Sequence, residues 1–207
     1  LVSVMYVNNE VGSIQPLRDI VALVAQVRAD RLARGNDMPL YVHTDACQAG
    51  NYLDMQVARL GVDLLTINAG KVYGPKQTGA LYVRSGVVLT SLLQGGGQES
   101  NIRSGTENLA NIAGFTVAWL AARAAHKDEY QRLSSLRDKA IHELEQLPNC
   151  IINGAKHQKR LANNIHITIA GYDNERLLMQ LDEEGFQIAT GSACSASNDE
   201  PSHVLKA

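Results

Sequence analysis

Aromatic side chains are sparse in this 207-residue chain, at 5%, although the total hydrophobic content of 45% is ordinary for a globular protein. Cysteine is scarce too. Cys47, Cys150 and Cys194 are widely separated, which excludes a disulfide framework and a C-x-x-C metal pair and suits a reducing cytoplasm. Neither sign of charge dominates: 19 basic residues against 21 acidic give a net charge of -2, so there is no electrostatic case for nucleic acid or a membrane surface. No apolar run approaches the ~20 residues needed to span a bilayer. No secretory signal is visible, since the chain opens inside a strand-like run, Leu1 to Val7. There is no initiator Met. At the other end Pro201 to Ala207 read as a helix just begun, with proline in its first turn. The expectation is an internal piece of a longer protein, without repeats or low-complexity tracts.

What is present alternates between two periods. Val2 to Val7 is apolar and β-branched, as a buried strand requires, while Leu17, Ile20, Val21, Val24 and Val27 give helical spacing across Pro16 to Arg34. Leu40 to His43 and Val62 to Ile67 read as strands, with a short helix between them, and Gly79 to Val83 as another after the Gly74-Pro75 turn. This order predicts an α/β layer. Asn108 to Leu147 reads as helix, broken near His126-Lys127-Asp128. Strands are expected at Cys150 to Ile152, Ile165 to Ile169 and Phe186 to Ala189, with a helix from Asn174 to Glu184 ending at Gly185. A domain boundary is placed near residue 115.

The chemistry-bearing residues cluster after strands. Lys71, in Asn68-Ala69-Gly70-Lys71-Val72-Tyr73-Gly74-Pro75-Lys76, closes the Val62 to Ile67 run, and Gly70 lets another molecule approach. Asp45, in His43-Thr44-Asp45-Ala46-Cys47-Gln48, closes another strand, on the usual ligand side of an α/β sheet. An amine and a carboxylate at neighbouring strand ends suit pyridoxal phosphate, with the lysine as its attachment point and the acid on its ring nitrogen. Each residue also has a plainer reading. Lys71 alone is a surface charge, Asp45 a turn or N-cap residue, and Gln48 a solvated side chain. Asn9 either orients a ligand or makes a local turn. Arg103-Ser104-Gly105-Thr106, before a helix, is a phosphate grip or an N-cap with Glu107 in the first turn. Cys194 lies in the small, polar run Thr190 to Ser197, where a thiol is exposed and able to reach a substrate or is a bystander. Cys47 and Cys150 read as packing residues and His43 as a strand-end histidine. His166 and His203 have no evident partner.

Taken together, five segments resemble a cysteine desulfurase of the NifS/IscS type, in the class V aminotransferase branch of the fold-type I pyridoxal-phosphate enzymes. They are Tyr6 to Gly12, His43 to Gln48, Lys71 to Lys76 with Gly79 to Arg84, Gly95 to Glu99 with Arg103 to Thr106, and Gly191 to Ser197. Their order and spacing fit over essentially the whole chain. The resemblance implies an α/β fold: part of a three-layer α/β/α cofactor domain over residues 1–115, and part of a smaller α+β domain with the cysteine loop over 116–207. It also implies a cytoplasmic homodimer. Lys71 would carry pyridoxal phosphate and move protons, Asp45 would pair with the ring nitrogen, and Gln48 would bond the phenolic oxygen. Asn9 would orient substrate, Asn68 would stand at the phosphate, and Thr106 would reach the neighbouring subunit's phosphate. Cys194 would take sulfur from L-cysteine as a persulfide, leaving alanine. An acceptor protein, such as an iron–sulfur scaffold or a tRNA-thiolation protein, would receive it. No metal is implied.

Three positions depart from the family pattern: Gly70 and Gln98 replace histidines and Asn68 replaces a serine. The family's glycine/threonine phosphate loop and its ring-stacking histidine belong upstream of Leu1, and its substrate-carboxylate arginine beyond Ala207. The expectation for the chain alone is therefore little or no turnover. Two further readings stay open: a selenocysteine lyase or another class V aminotransferase, and an inactive fragment or sulfur carrier.

Overall fold

The structure is a computed structural model that describes residues 1–191 and 202–207. Strands β1 (Val2–Met5), β2 (Val42–Asp45) and β3 (Leu64–Asn68) run parallel, and β4 (Gly79–Val83) returns antiparallel on β3, giving the order β1-β2-β3-β4. Helix α1 (Leu17–Ala33) connects β1 to β2. Its end is closed by Gly35 at φ +76°, whose N–H reaches Leu32 O at 2.9 Å. A short helix, α2 (Val57–Leu60), precedes β3 and ends at Gly61 in the same left-handed conformation.

The pleat sorts the strand residues between two faces. Val42 and Thr44 are buried on one; His43 and Asp45 are half-buried on the other. Pairing places Ser3 beside His43, Met5 beside Asp45, and Thr66 beside Asp45 on that second face. On the first face Ile67 packs with Ala69, Val72, Phe115, Trp119 and Ala122. Phe115 and Trp119 meet edge to face at 6.3 Å. Arg123 lies 5.9 Å from the Trp119 ring centre and donates to the carbonyls of Gly50 and Leu53 at 2.9 and 2.7 Å.

One buried charge ties the entry to β3. Asp63 is 3% exposed, accepts the Val42 N–H at 2.7 Å and pairs with Arg28 and with Arg84. Such a carboxylate is tolerated because both of its oxygens are engaged.

Helix α3 (Leu109–Leu144) is continuous through His126-Lys127-Asp128, so the expected break is absent. None of the three is Gly or Pro, and the His126 ring bonds the Arg123 carbonyl at 2.7 Å; the polar triplet is one solvated turn, not a stop.

Two compact units emerge: Leu1–Tyr6 with Pro16–Lys127, and Val7–Gln15 with Asp128–Ala207. The second holds the antiparallel pair β5 (Cys150–Ile152) and β6 (Ile167–Ile169). It also holds α4 (Asn174–Glu183), which Asp173 caps through the Arg176 N–H at 2.8 Å. A last turn, α5 (His203–Lys206), is capped by Ser202; Pro201, expected in its first turn, lies outside the described residues. Phe186 to Ala189 is not a strand. The Phe186 N–H is spent on Leu181 O at 2.8 Å, closing α4, and Phe186 stays exposed.

At the centre of this unit Arg160 is fully buried. It donates to the carbonyls of Ala155 and Asn153 and to Asn164 Oδ1. Asn164 in turn donates to Glu10 O at 2.7 Å, and Glu10 accepts from the Ser202 hydroxyl at 2.5 Å.

Candidate functional site

Asp45 ends one parallel strand and Lys71 follows the end of the next, on the side where an α/β sheet presents its ligand face. Asp45 is the last residue of β2. Its Oδ1 accepts the Cys47 N–H at 2.9 Å, and its backbone carbonyl accepts the Tyr6 N–H at 2.8 Å. The chain then coils through overlapping turns from Ala46 to Leu53, and Gln48 lies half-buried on the first of them.

Lys71 belongs to a 3-10 turn, Ala69–Val72, that leaves β3 directly. Asn68 starts this turn by accepting the Gly70 N–H on Oδ1 at 2.8 Å, which leaves its amide NH2 to donate elsewhere. Ala69 and Val72 are buried while Lys71 is exposed, so packing of the turn's apolar side turns the lysine outward. A Cβ at Gly70 would meet only Asn68 Oδ1, at 3.2 Å.

Cys47 reports the field between the acid and the amine. Burial pushes its thiol up to about 12; a hydrogen bond to Asp45 and that carboxylate's charge add to the rise, and the Lys71 charge opposes it. One thiol therefore feels both groups. Sequence reasoning placed Cys47 as packing and missed its bond to Asp45. A depression of about 420 Å³ opens beside it, lined by Thr66, Asn68, Gln77, Gly79 and Leu81 among others.

His43, read as a strand-end residue, is fully bonded. Nδ1 meets Ser3 Oγ at 2.7 Å and Nε2 meets Thr66 Oγ1 at 2.9 Å. The Ser3 and Thr66 partnerships lie 40 and 23 residues away in sequence, so no local pattern marks them.

Thr106 is exposed, three residues before α3. Its loop is shaped by Gln98, whose side-chain oxygen accepts the Gly105 N–H at 3.0 Å, and by a bridge between Leu93 and Arg103. The cap of α3 is Asn108, which accepts the Asn111 N–H at 3.1 Å; Glu107 precedes the helix rather than entering its first turn.

Asn9 lies in the second unit, exposed at the tip of a turn that Asn8 holds by accepting the N–H groups of Glu10 and Val11 on one oxygen. His166, expected to lack a partner, bonds the Asn153 side chain at 3.0 Å. Burial holds its pKa below the usual histidine value. Cys194 lies outside the described residues. Among the described residues no cluster of His, Cys, Asp and Glu could hold a metal ion, and no helix is long and apolar enough to cross a membrane.

Comparison with known proteins gives a consistent result. The profile of the family described as aminotransferase class-V matches residues 1–207. The cysteine desulfurase IscS of Dictyoglomus turgidum is 43% identical over 100% of this chain and 50% of its own length. That of Clostridium botulinum is 41% identical over 99% of this chain and 49% of its own length. Among solved structures, a NifS-like protein from Rickettsia africae superposes with a TM-score of 0.82 at 28% identity, covering 99% of this chain and 51% of that one. The chain thus spans about half the length of the curated relatives it matches. Its parallel-rich sheet is part of a fold-type I α/β domain, as the expected fold class holds.

Proposed function

This chain belongs to the class-V aminotransferase family, and from that premise we propose that it is the central part of a pyridoxal-phosphate-dependent cysteine desulfurase. The observation that carries the reading is the placement of Asp45 at the end of β2 and of Lys71 in the turn that leaves β3, at the carboxyl ends of two adjacent parallel strands. The similarity to IscS desulfurases along the whole chain supports the same conclusion.

The residues fit the cofactor. Asp45 makes no salt bridge among the described residues and keeps acceptor capacity for a protonated ring nitrogen. Lys71 is exposed and likewise unpaired by any carboxylate there. Asn68 keeps a donor for a phosphate oxygen. Bound there, pyridoxal phosphate would supply an electron sink for charge developing at the substrate Cα.

The chain's own residues would do the rest. Lys71 attaches the cofactor and moves the proton at Cα. Asp45 keeps the ring nitrogen protonated, Gln48 donates to the phenolic oxygen, Asn9 orients substrate, and Thr106 meets the phosphate of a second subunit. Cys194, as thiolate, attacks the sulfur of L-cysteine. The balance is L-cysteine plus the Cys194 thiol giving L-alanine plus the Cys194 persulfide, which an acceptor protein of iron–sulfur assembly or tRNA thiolation then removes. In this reading residues 1–115 belong to the large cofactor domain and 116–207 to the small one, in a cytoplasmic homodimer.

The test is product analysis with L-cysteine and with L-selenocysteine, in the presence of pyridoxal phosphate and the other half of a relative's chain. Alanine from cysteine with one persulfide sulfur mapped to Cys194 is the expected result. Release from selenocysteine alone would favour a lyase and overturn the proposal.

A further inference from the structure

His43 joins three strands through its two ring nitrogens. Strands β1 and β3 are not neighbours; each lies one spacing from β2, so they are about 9.5 Å apart. A hydroxyl on each faces the same side of the sheet: Ser3 on β1, directly paired with His43, and Thr66 on β3, paired with Asp45. An imidazole carries polar atoms on opposite edges of one rigid ring, and here it reaches both hydroxyls, at 2.7 and 2.9 Å. A neutral ring donates from one nitrogen and accepts at the other, and either hydroxyl can adopt the complementary role.

The staple ends beside the acid. Asp45 is two residues from His43 on the same strand and face. Thr66 is its cross-strand partner, and the Thr66 carbonyl accepts the Ala46 N–H at 2.9 Å, fixing the turn that Asp45 enters. We propose that His43 is a positioning residue for Asp45: by bridging Ser3 and Thr66 it sets the carboxyl ends of β1, β2 and β3, and with them the carboxylate that faces the ligand side. The consequence for a cofactor rests on the function proposed above; the positioning of Asp45 does not.

The reporter is the Cys47 amide, whose N–H is bonded to Asp45 Oδ1. In the 207-residue chain, hydrogen exchange at Cys47 is measured for wild type, H43F, T66V and the double variant. T66V is isosteric, so it remains informative should H43F fold poorly. Each single variant is expected to speed exchange about tenfold, and the double variant no more than either, because both break one bridge. A general loss of stability would speed exchange throughout β1 to β3; a lost bridge moves Cys47 first. Pyridoxyl-Lys71 trapped at subsaturating pyridoxal phosphate should fall in parallel, about tenfold. Cys47 exchange within twofold of wild type in both single variants would overturn the proposal. Faster exchange with no pyridoxyl-Lys71 even in wild type would sustain the positioning role and sink the cofactor reading instead.

Discussion

Asp45 and Cys47 are joined through the backbone: the Cys47 N–H donates to Asp45 Oδ1 at 2.9 Å, while the thiol lies 4.0 Å from the Thr66 carbonyl. The pair makes a strand-end acid into a fixed one. Its thiol is also a probe of the charges around it.

The thiol is pushed up to about 12, chiefly by burial and then by Asp45. Alkylation of Cys47 by iodoacetamide at pH 8.5, a pH near the free-thiol pKa, should therefore be slow, at least tenfold slower than in the unfolded chain. Replacing Asp45 by Asn removes the charge but not the burial, so Cys47 should react faster. Peptide-mapped rates check this; equal rates in both proteins would contradict it.

The same shift has a sign for stability. Because the folded thiol holds its proton more tightly than the unfolded one, its contribution is fully present below the unfolded value near 9 and is lost as pH rises from about 9 to about 12. Urea midpoints across that range should fall less in Cys47→Ala than in wild type.

Asp63 anchors β3 through the Val42 N–H, Arg28 and Arg84. Removing the carboxylate leaves the buried Val42 N–H without this acceptor and takes the charge partner from Arg28 and Arg84, which keep their bonds to the carbonyls of Leu40, Gly61 and Val62. Asp63→Ala should cost about 3 kcal/mol, near the low end for breaking a buried pair since both arginines are partly exposed. Urea unfolding followed at Trp119, in the same unit, measures it.

Gly12 stands at φ +67°, where a Cβ would lie 2.5 Å from Asn164 Oδ1. Asn164 bonds Arg160 and the Glu10 carbonyl and has no room to give. Gly12→Ala should therefore destabilise by about 2 kcal/mol or more. Hydrogen exchange should speed in Asn153 to Asn164 while β1 to β3 hold their protection.

Much of this architecture was legible in the chain because it is written in short-range periodicity. The Val62 to Ile67 run became Leu64–Asn68, and the helical spacing from Leu17 to Val27 became α1. Gly35 ended α1 as a left-handed cap. Where the reading failed, the reason was local too. His126-Lys127-Asp128 carries no Gly or Pro, so polarity alone did not stop a helix. Phe186 to Ala189 has strand-like residues, but its first N–H closes α4 instead. The His43 staple and the Arg160 network were invisible for another reason: each depends on partners brought together only by folding.

The central claim is that Lys71 carries pyridoxal phosphate. The chain is incubated with the cofactor, reduced with borohydride and mapped by peptide mass. The account predicts a pyridoxyl group on Lys71 that is lost in Lys71→Ala and weakened in Asp45→Asn. A folded protein with no adduct, or with adducts spread over other lysines and Lys71 unmodified, would contradict it.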